Sequence, residues 1–148
     1  MAHAHHPPHP QPAPTQPPPA PAAEDRYAQF HAFRARLNER ILGPSGGTLV
    51  TKRFFTLDTQ TYQPGALDVK TKELLGLVAS AVLRCDDCVA YHIDQCIKEG
   101  CSDQELWEAL DIALIVGGSI VIPHLRRAID FLDQARLHDR ARLAGPPA

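Results

Sequence analysis

Four cysteines lie between positions 85 and 101, and two of them open the run Cys85-Asp86-Asp87-Cys88-Val89-Ala90-Tyr91-His92. Three residues along a helix turn through about 300°, so Cys85 and Cys88 are neighbours on one face. Their sulfurs can reach disulfide distance with little backbone movement. His92 stands four residues beyond Cys88 and seven beyond Cys85, on that same face. An imidazole so placed can take a thiol proton and stabilise the thiolate. If Cys85 also opens a helix, the free backbone N–H groups of the first turn act in the same direction. Such a pair can shuttle between dithiol and disulfide. Glu73, twelve residues before Cys85 and next to Leu74-Leu75, is the fourth candidate. A carboxylate among apolar side chains needs a partner, and His92 is one. Lys70 or Lys72 on a solvated first turn is the other.

Other uses of these residues are open. Cys85 and Cys88 could be two small buried hydrophobes. Cys85, Cys88, His92 and either Cys96 or Cys101 could bind a structural zinc, although so short a helical segment cannot easily surround an ion. Cys96 extends the Cys88–His92 face and reads as core, and Cys101, beside Gly100, reads as a buried loop residue. Tyr91 reads as packing. His124 could approach the cysteines from across the bundle or serve as a capping or surface residue; His31 and His138 read as ordinary helix-surface histidines. Arg126-Arg127 suggests a solvated face or a subunit salt bridge.

The positioning elements are helical throughout. Tyr27, Phe30, Leu37 and Ile41 recur at three- and four-residue spacing, which predicts an amphipathic helix from Asp25 to Leu42, ended by Gly43-Pro44-Ser45-Gly46-Gly47. Residues 48–65 show no clean period; Phe54, Phe55, Leu57 and Tyr62 are apolar anchors around one short helix at most. Asp68 is the expected N-cap of the next helix, with Ala66-Leu67 ahead of it as a staple, and its mostly apolar circumference makes it central. Asp86 to Glu99 forms a second stretch with Gly100 at C′. Asp86 and Asp87 suit a first turn and favour a fresh start near residues 84–87. Ser102-Asp103-Gln104-Glu105 is a capping box for a helix running to Gly117-Gly118. Ser119 is expected to cap a last helix through Leu132 and on towards Leu143, with its first turn loosened by Pro123. No useful alternation at period two occurs, so the fold class is all-α.

The 148 residues, with a formal net charge of -2, allow one main domain. Residues 1–22 carry no Asp, Glu, Lys or Arg and hold nine of the fourteen prolines, so they read as a disordered tail. His3, His5, His6 and His9 in it could bind a transition metal weakly. The folded domain is expected over 23–143, with 144–148 flexible. Fifteen basic against seventeen acidic residues give no global pull towards nucleic acid or anionic membrane. Neither a secretory signal nor an apolar run long enough to span a membrane is visible, which makes a cytoplasmic location the expectation. There is no GxGxxG and no P-loop, and no metal or organic cofactor is expected.

Ala66-Leu67-Asp68-Val69-Lys70-Thr71-Lys72-Glu73-Leu74-Leu75 resembles the core helix of the carboxymuconolactone decarboxylase-like superfamily. Cys85-x-x-Cys88-x-x-x-His92, followed by Ala109-Leu110 and Gly117-Gly118, is similar to its alkylhydroperoxidase AhpD-like branch. The resemblance covers residues 65–132. It implies a helical bundle that assembles as a trimer or hexamer and reduces hydroperoxides. Carried onto matching positions, Cys88 is peroxidatic, Cys85 resolving, and Glu73 and His92 a proton relay. The reductant is an external dithiol, of thioredoxin or lipoyl type. The lactone decarboxylases of the superfamily lack the cysteine pair. One departure is Asp87, where the family often has histidine or an aromatic residue; with Asp86 it opposes thiolate formation by charge repulsion, or selects a basic reductant. Two further functions remain open: decarboxylase- or isomerase-type chemistry on a small organic acid using Glu73 and His92, and a non-enzymatic redox-sensing or assembly module.

Overall fold

A computed structural model describes residues 24–145, and among them every regular element is helical. The expected tail over residues 1–22 lies outside the described residues, as do 146–148. Six helices follow in order: α1 (Arg26–Leu42), α2 (Leu49–Thr61), α3 (Val69–Val82), α4 (Asp86–Lys98), α5 (Asp103–Gly117) and α6 (Ile122–Ala144).

Local signals in the chain set most of these bounds. The Asp25, Thr48 and Asp68 side chains each accept from a backbone N–H in the first turn of α1, α2 and α3. Ser102 and Glu105 complete a reciprocal capping box on α5. Ser119 does not cap the last helix as its residue type suggested. A 3-10 turn over Ser119–Val121 comes first, and α6 starts at Ile122 with Pro123 in its first turn. Proline has no N–H to donate, so that is the part of a helix where it costs least.

The break between α3 and α4 is a Schellman motif. Arg84 N–H donates to Ala81 and Cys85 N–H to Ser80, at 3.1 and 3.0 Å. Arg84 holds the left-handed conformation, φ 62°, that such a motif usually reserves for glycine. Gly100 repeats the motif between α4 and α5, with φ 75° and Cys101 N–H donating to Cys96.

Packing makes α3, α4, α5 and α6 the body of the protein. Leu77 from α3, Ile93 and Cys96 from α4, Leu106 and Leu110 from α5, and Val121 are all but fully buried. Helix α1 lies along α6, where the Gln134 side chain accepts from Arg26 N–H at 2.7 Å and Arg26 pairs with Asp130. Buried Asp94 on α4 ties α1 down as well, accepting from Tyr27 Oη at 3.1 Å and Lys98 Nζ at 2.7 Å. His31 and His138 are not plain surface residues: both pack on the Tyr27 ring, and His138 also pairs with Asp25. Helix α2 differs from the rest. It makes sparse contact with the body, and Leu49, Val50, Phe54 and Leu57 are 61–75% exposed.

Candidate functional site

Cys85 and Cys88 form a disulfide, with Cα atoms 5.2 Å apart. The Schellman turn makes Cys85 the N-cap of α4, which places Cys88 in its first turn. Both cysteines therefore stand where unpaired backbone N–H groups favour a thiolate once the bond is reduced.

His92 lies one turn further along α4 and is buried, as is Glu73 on α3. His92 Nδ1 and Glu73 Oε2 are 2.7 Å apart. This contact gives the buried carboxylate the partner that its apolar setting demands. The competing lysines are engaged elsewhere: Lys70 with Glu105 at 2.7 Å, and Lys72 with the backbone carbonyls of Thr61 and Gln63. Gly76 makes the approach possible. A Cβ there would lie 2.7 Å from both ring nitrogens of His92, so the imidazole occupies space that any larger residue would fill. A lone glycine inside an apolar helix was the available signal for this role.

Cys88 and His92 open onto a cavity of about 380 Å³. Its other walls come from Arg34 and Asn38 on α1, Phe54, Phe55 and Asp58 on α2, and Asp87 and Tyr91 on α4. Cys85 is not among the lining residues. The Arg34 guanidinium stacks on Tyr91, 4.4 Å from the ring centre. The rings of Tyr62 and Tyr91 stand 5.5 and 5.2 Å from that of His92. Burial, with the charge of Glu73 adding to it, pushes both phenols above their usual range.

The other candidates divide. His124 reaches Asp86, the residue after Cys85, with Nδ1 2.7 Å from its carboxylate. Cys96 and Cys101 are free and buried at the far end of α4. Burial pushes both thiols up, away from reactivity. No cluster of histidine, cysteine and acidic side chains suited to a metal ion occurs among the described residues, so Cys96 and Cys101 do not join Cys85, Cys88 and His92 as zinc ligands there. The histidines of residues 3–9 lie outside the described residues. No helix among the described residues is long and apolar enough to cross a membrane.

Residues 48–131 match the model of the carboxymuconolactone decarboxylase family. The chain belongs to that family. The match starts seventeen residues before the resemblance read from sequence, so α2 is part of the family's domain. The fold is similar to that of a family protein from Thermotoga maritima for which an antioxidative role has been suggested. The two chains are 62% identical, with a TM-score of 0.71 over 76% of this chain and 93% of that one. A family protein from Legionella pneumophila is 25% identical, with a TM-score of 0.55 over 76% of this chain and 91% of its own. The uncharacterized protein 4 in the cox locus of Paracoccus denitrificans is 26% identical across 60% of this chain and 79% of its own.

Proposed function

We propose that the protein is a thiol-dependent peroxidase of the AhpD-like kind, cycling through Cys85 and Cys88. One observation carries the reading: His92, paired with buried Glu73 behind it, lines the cavity onto which Cys88, and not Cys85, opens. The attacking sulfur has to meet substrate, whereas the resolving sulfur only has to meet its neighbour.

In the proposed cycle the Cys88 thiolate attacks the outer oxygen of a hydroperoxide and the O–O bond breaks. Cys88 is oxidised to sulfenic acid, and the alcohol or water leaves with a proton from His92, which Glu73 orients. The Cys85 thiol then displaces water from the sulfenic acid and forms the disulfide. An external dithiol reduces it through a mixed disulfide, becoming oxidised itself. This cycle needs no metal and no organic cofactor. The phenylalanines and Tyr91 on the cavity wall suit an organic hydroperoxide.

The test is consumption of hydrogen peroxide and of cumene hydroperoxide by pre-reduced protein, with dithiothreitol as reductant. C88S is expected to abolish turnover, C85S to stop after one sulfenic acid, and E73Q to slow the reaction about 100-fold, the order typical of a lost proton relay. Oxidation of the wild type no faster than that of a free thiol would overturn the assignment. Decarboxylase- or isomerase-type chemistry using Glu73 and His92 is separable by assaying a C85S/C88S double variant on small organic acids, because that chemistry survives loss of both cysteines.

A further inference from the structure

Asp86 follows Cys85 directly, and an unbalanced carboxylate there opposes thiolate formation at the cysteine pair. Two side chains from α6 meet it. His124 places Nδ1 2.7 Å from one carboxylate oxygen, and Arg127 places a guanidinium nitrogen 3.3 Å from the other. The His124 side chain is only 17% exposed, so this contact is built into the α4–α6 packing. Pro123 and the preceding 3-10 turn put His124 in the first turn of α6. Asp87 is treated differently: it is exposed and has no ion-pair partner among the described residues, although Arg34 and Asp58 line the same cavity.

We infer that His124 and Arg127 are positioning residues that offset the charge of Asp86 and thereby make the Cys85–Cys88 disulfide easier to reduce. The inference rests on the reading of these cysteines as a redox pair. Reduction by a dithiol breaks the S–S bond with two electrons and two protons, and each sulfur leaves first as a thiolate. A lone carboxylate beside Cys85 raises the cost of that thiolate, and a carboxylate already paired with two donors raises it less. The Asp86-Asp87 sequence thus carries one compensated and one open negative charge.

The test compares wild type, H124Q/R127Q, D86N and the triple variant in mixtures of reduced and oxidised dithiothreitol. Two readouts come from the peptide holding Cys85 and Cys88: the dithiol-to-disulfide ratio, and the rate of iodoacetamide alkylation of the reduced protein at pH 7. H124Q/R127Q is expected to move the ratio towards disulfide by about threefold to tenfold and to slow alkylation comparably. D86N in that background is expected to cancel both effects. A folded H124Q/R127Q with both readouts unchanged, or a triple variant that keeps the defect, would overturn the inference and leave the contact a packing feature. Should H124Q/R127Q not fold, the single variants H124Q and R127Q decide: each is expected to move the ratio towards disulfide, and no movement in either overturns the inference. A wild type that never exchanges with dithiothreitol overturns the redox-pair reading itself, and no variant is needed to see it.

Discussion

Gly76 and His92 constrain each other at the level of single residues, because the imidazole fills the volume a methyl group would take. G76A should therefore lower the proposed peroxidase rate about tenfold or more by displacing His92, the proposed general acid. Helix propensity alone predicts the opposite for stability, a gain of about 1 kcal/mol from removing a helical glycine. Peroxide kinetics beside a denaturant titration separate the two, and a G76A protein with wild-type kinetics would show that His92 tolerates displacement. The thiols make a second residue-level prediction. Cys96 and Cys101 should stay unmodified by a thiol reagent at pH 8 until the chain unfolds, since burial holds both in the neutral form. Cys85 and Cys88 should react in the native, reduced protein. The Glu73–His92 contact was one of the alternatives the sequence offered, since Lys70 and Lys72 stood as near in the chain and only the packing engages them elsewhere. The role of Asp86 was half readable: its charge was visible, but the α6 side chains that meet it stand 38 and 41 residues away.

Helix ends were legible where a side chain does the capping, as at Asp25, Asp68 and Ser102, since that chemistry is local. The α3–α4 break was legible only in part: Asp86 and Asp87 favoured a fresh start and stand in the first turn of α4, but the turn itself places an arginine in the left-handed region where glycine is the usual marker. R84G should accordingly be tolerated or stabilising, by up to about 1 kcal/mol, with the disulfide still forming. A large loss of stability in R84G would mean that the arginine side chain holds the turn. Helix α2 was hidden for another reason. Phe55 and Phe54 line the cavity while Leu49, Val50 and Leu57 stay exposed, so its apolar residues spread over more than one face and no single period emerges. The α3–α5 junction carries a pH dependence. Lys70, with the Ser102 cap, holds the Glu105 carboxyl at about 2, well below its usual value. A depressed pKa adds stability above pH ~4.5, the unfolded value, and that stability is lost as pH falls towards 2. E105Q should flatten this acid limb in denaturant midpoints measured from pH 6 to pH 2; an unchanged slope would remove Glu105 from the account.

Many large apolar side chains among the described residues are exposed. Besides the outer face of α2, Leu83, Ile112, Ile115, Val116 and Ile120 are 54–86% exposed. A thirteen-residue helix is marginal without packing partners, yet α2 supplies a wall of the cavity. We propose that a second copy of the chain covers these faces, in the trimer or hexamer that the family resemblance implies. Light scattering should give a mass several times that of one chain, and L57D should lower both the mass and the peroxidase rate. A monomeric and fully active protein would contradict this. The central claim is that Cys85 and Cys88 are the thiols that peroxide consumes, and rapid-quench oxidation with peptide mapping tests it most directly. Pre-reduced protein mixed with one equivalent of hydroperoxide should lose two of its four thiols in a single fast phase. The Cys85–Cys88 bond should appear as they disappear, with Cys96 and Cys101 still reduced. Oxidation spread over all four cysteines, or no faster than that of free cysteine, would contradict the account.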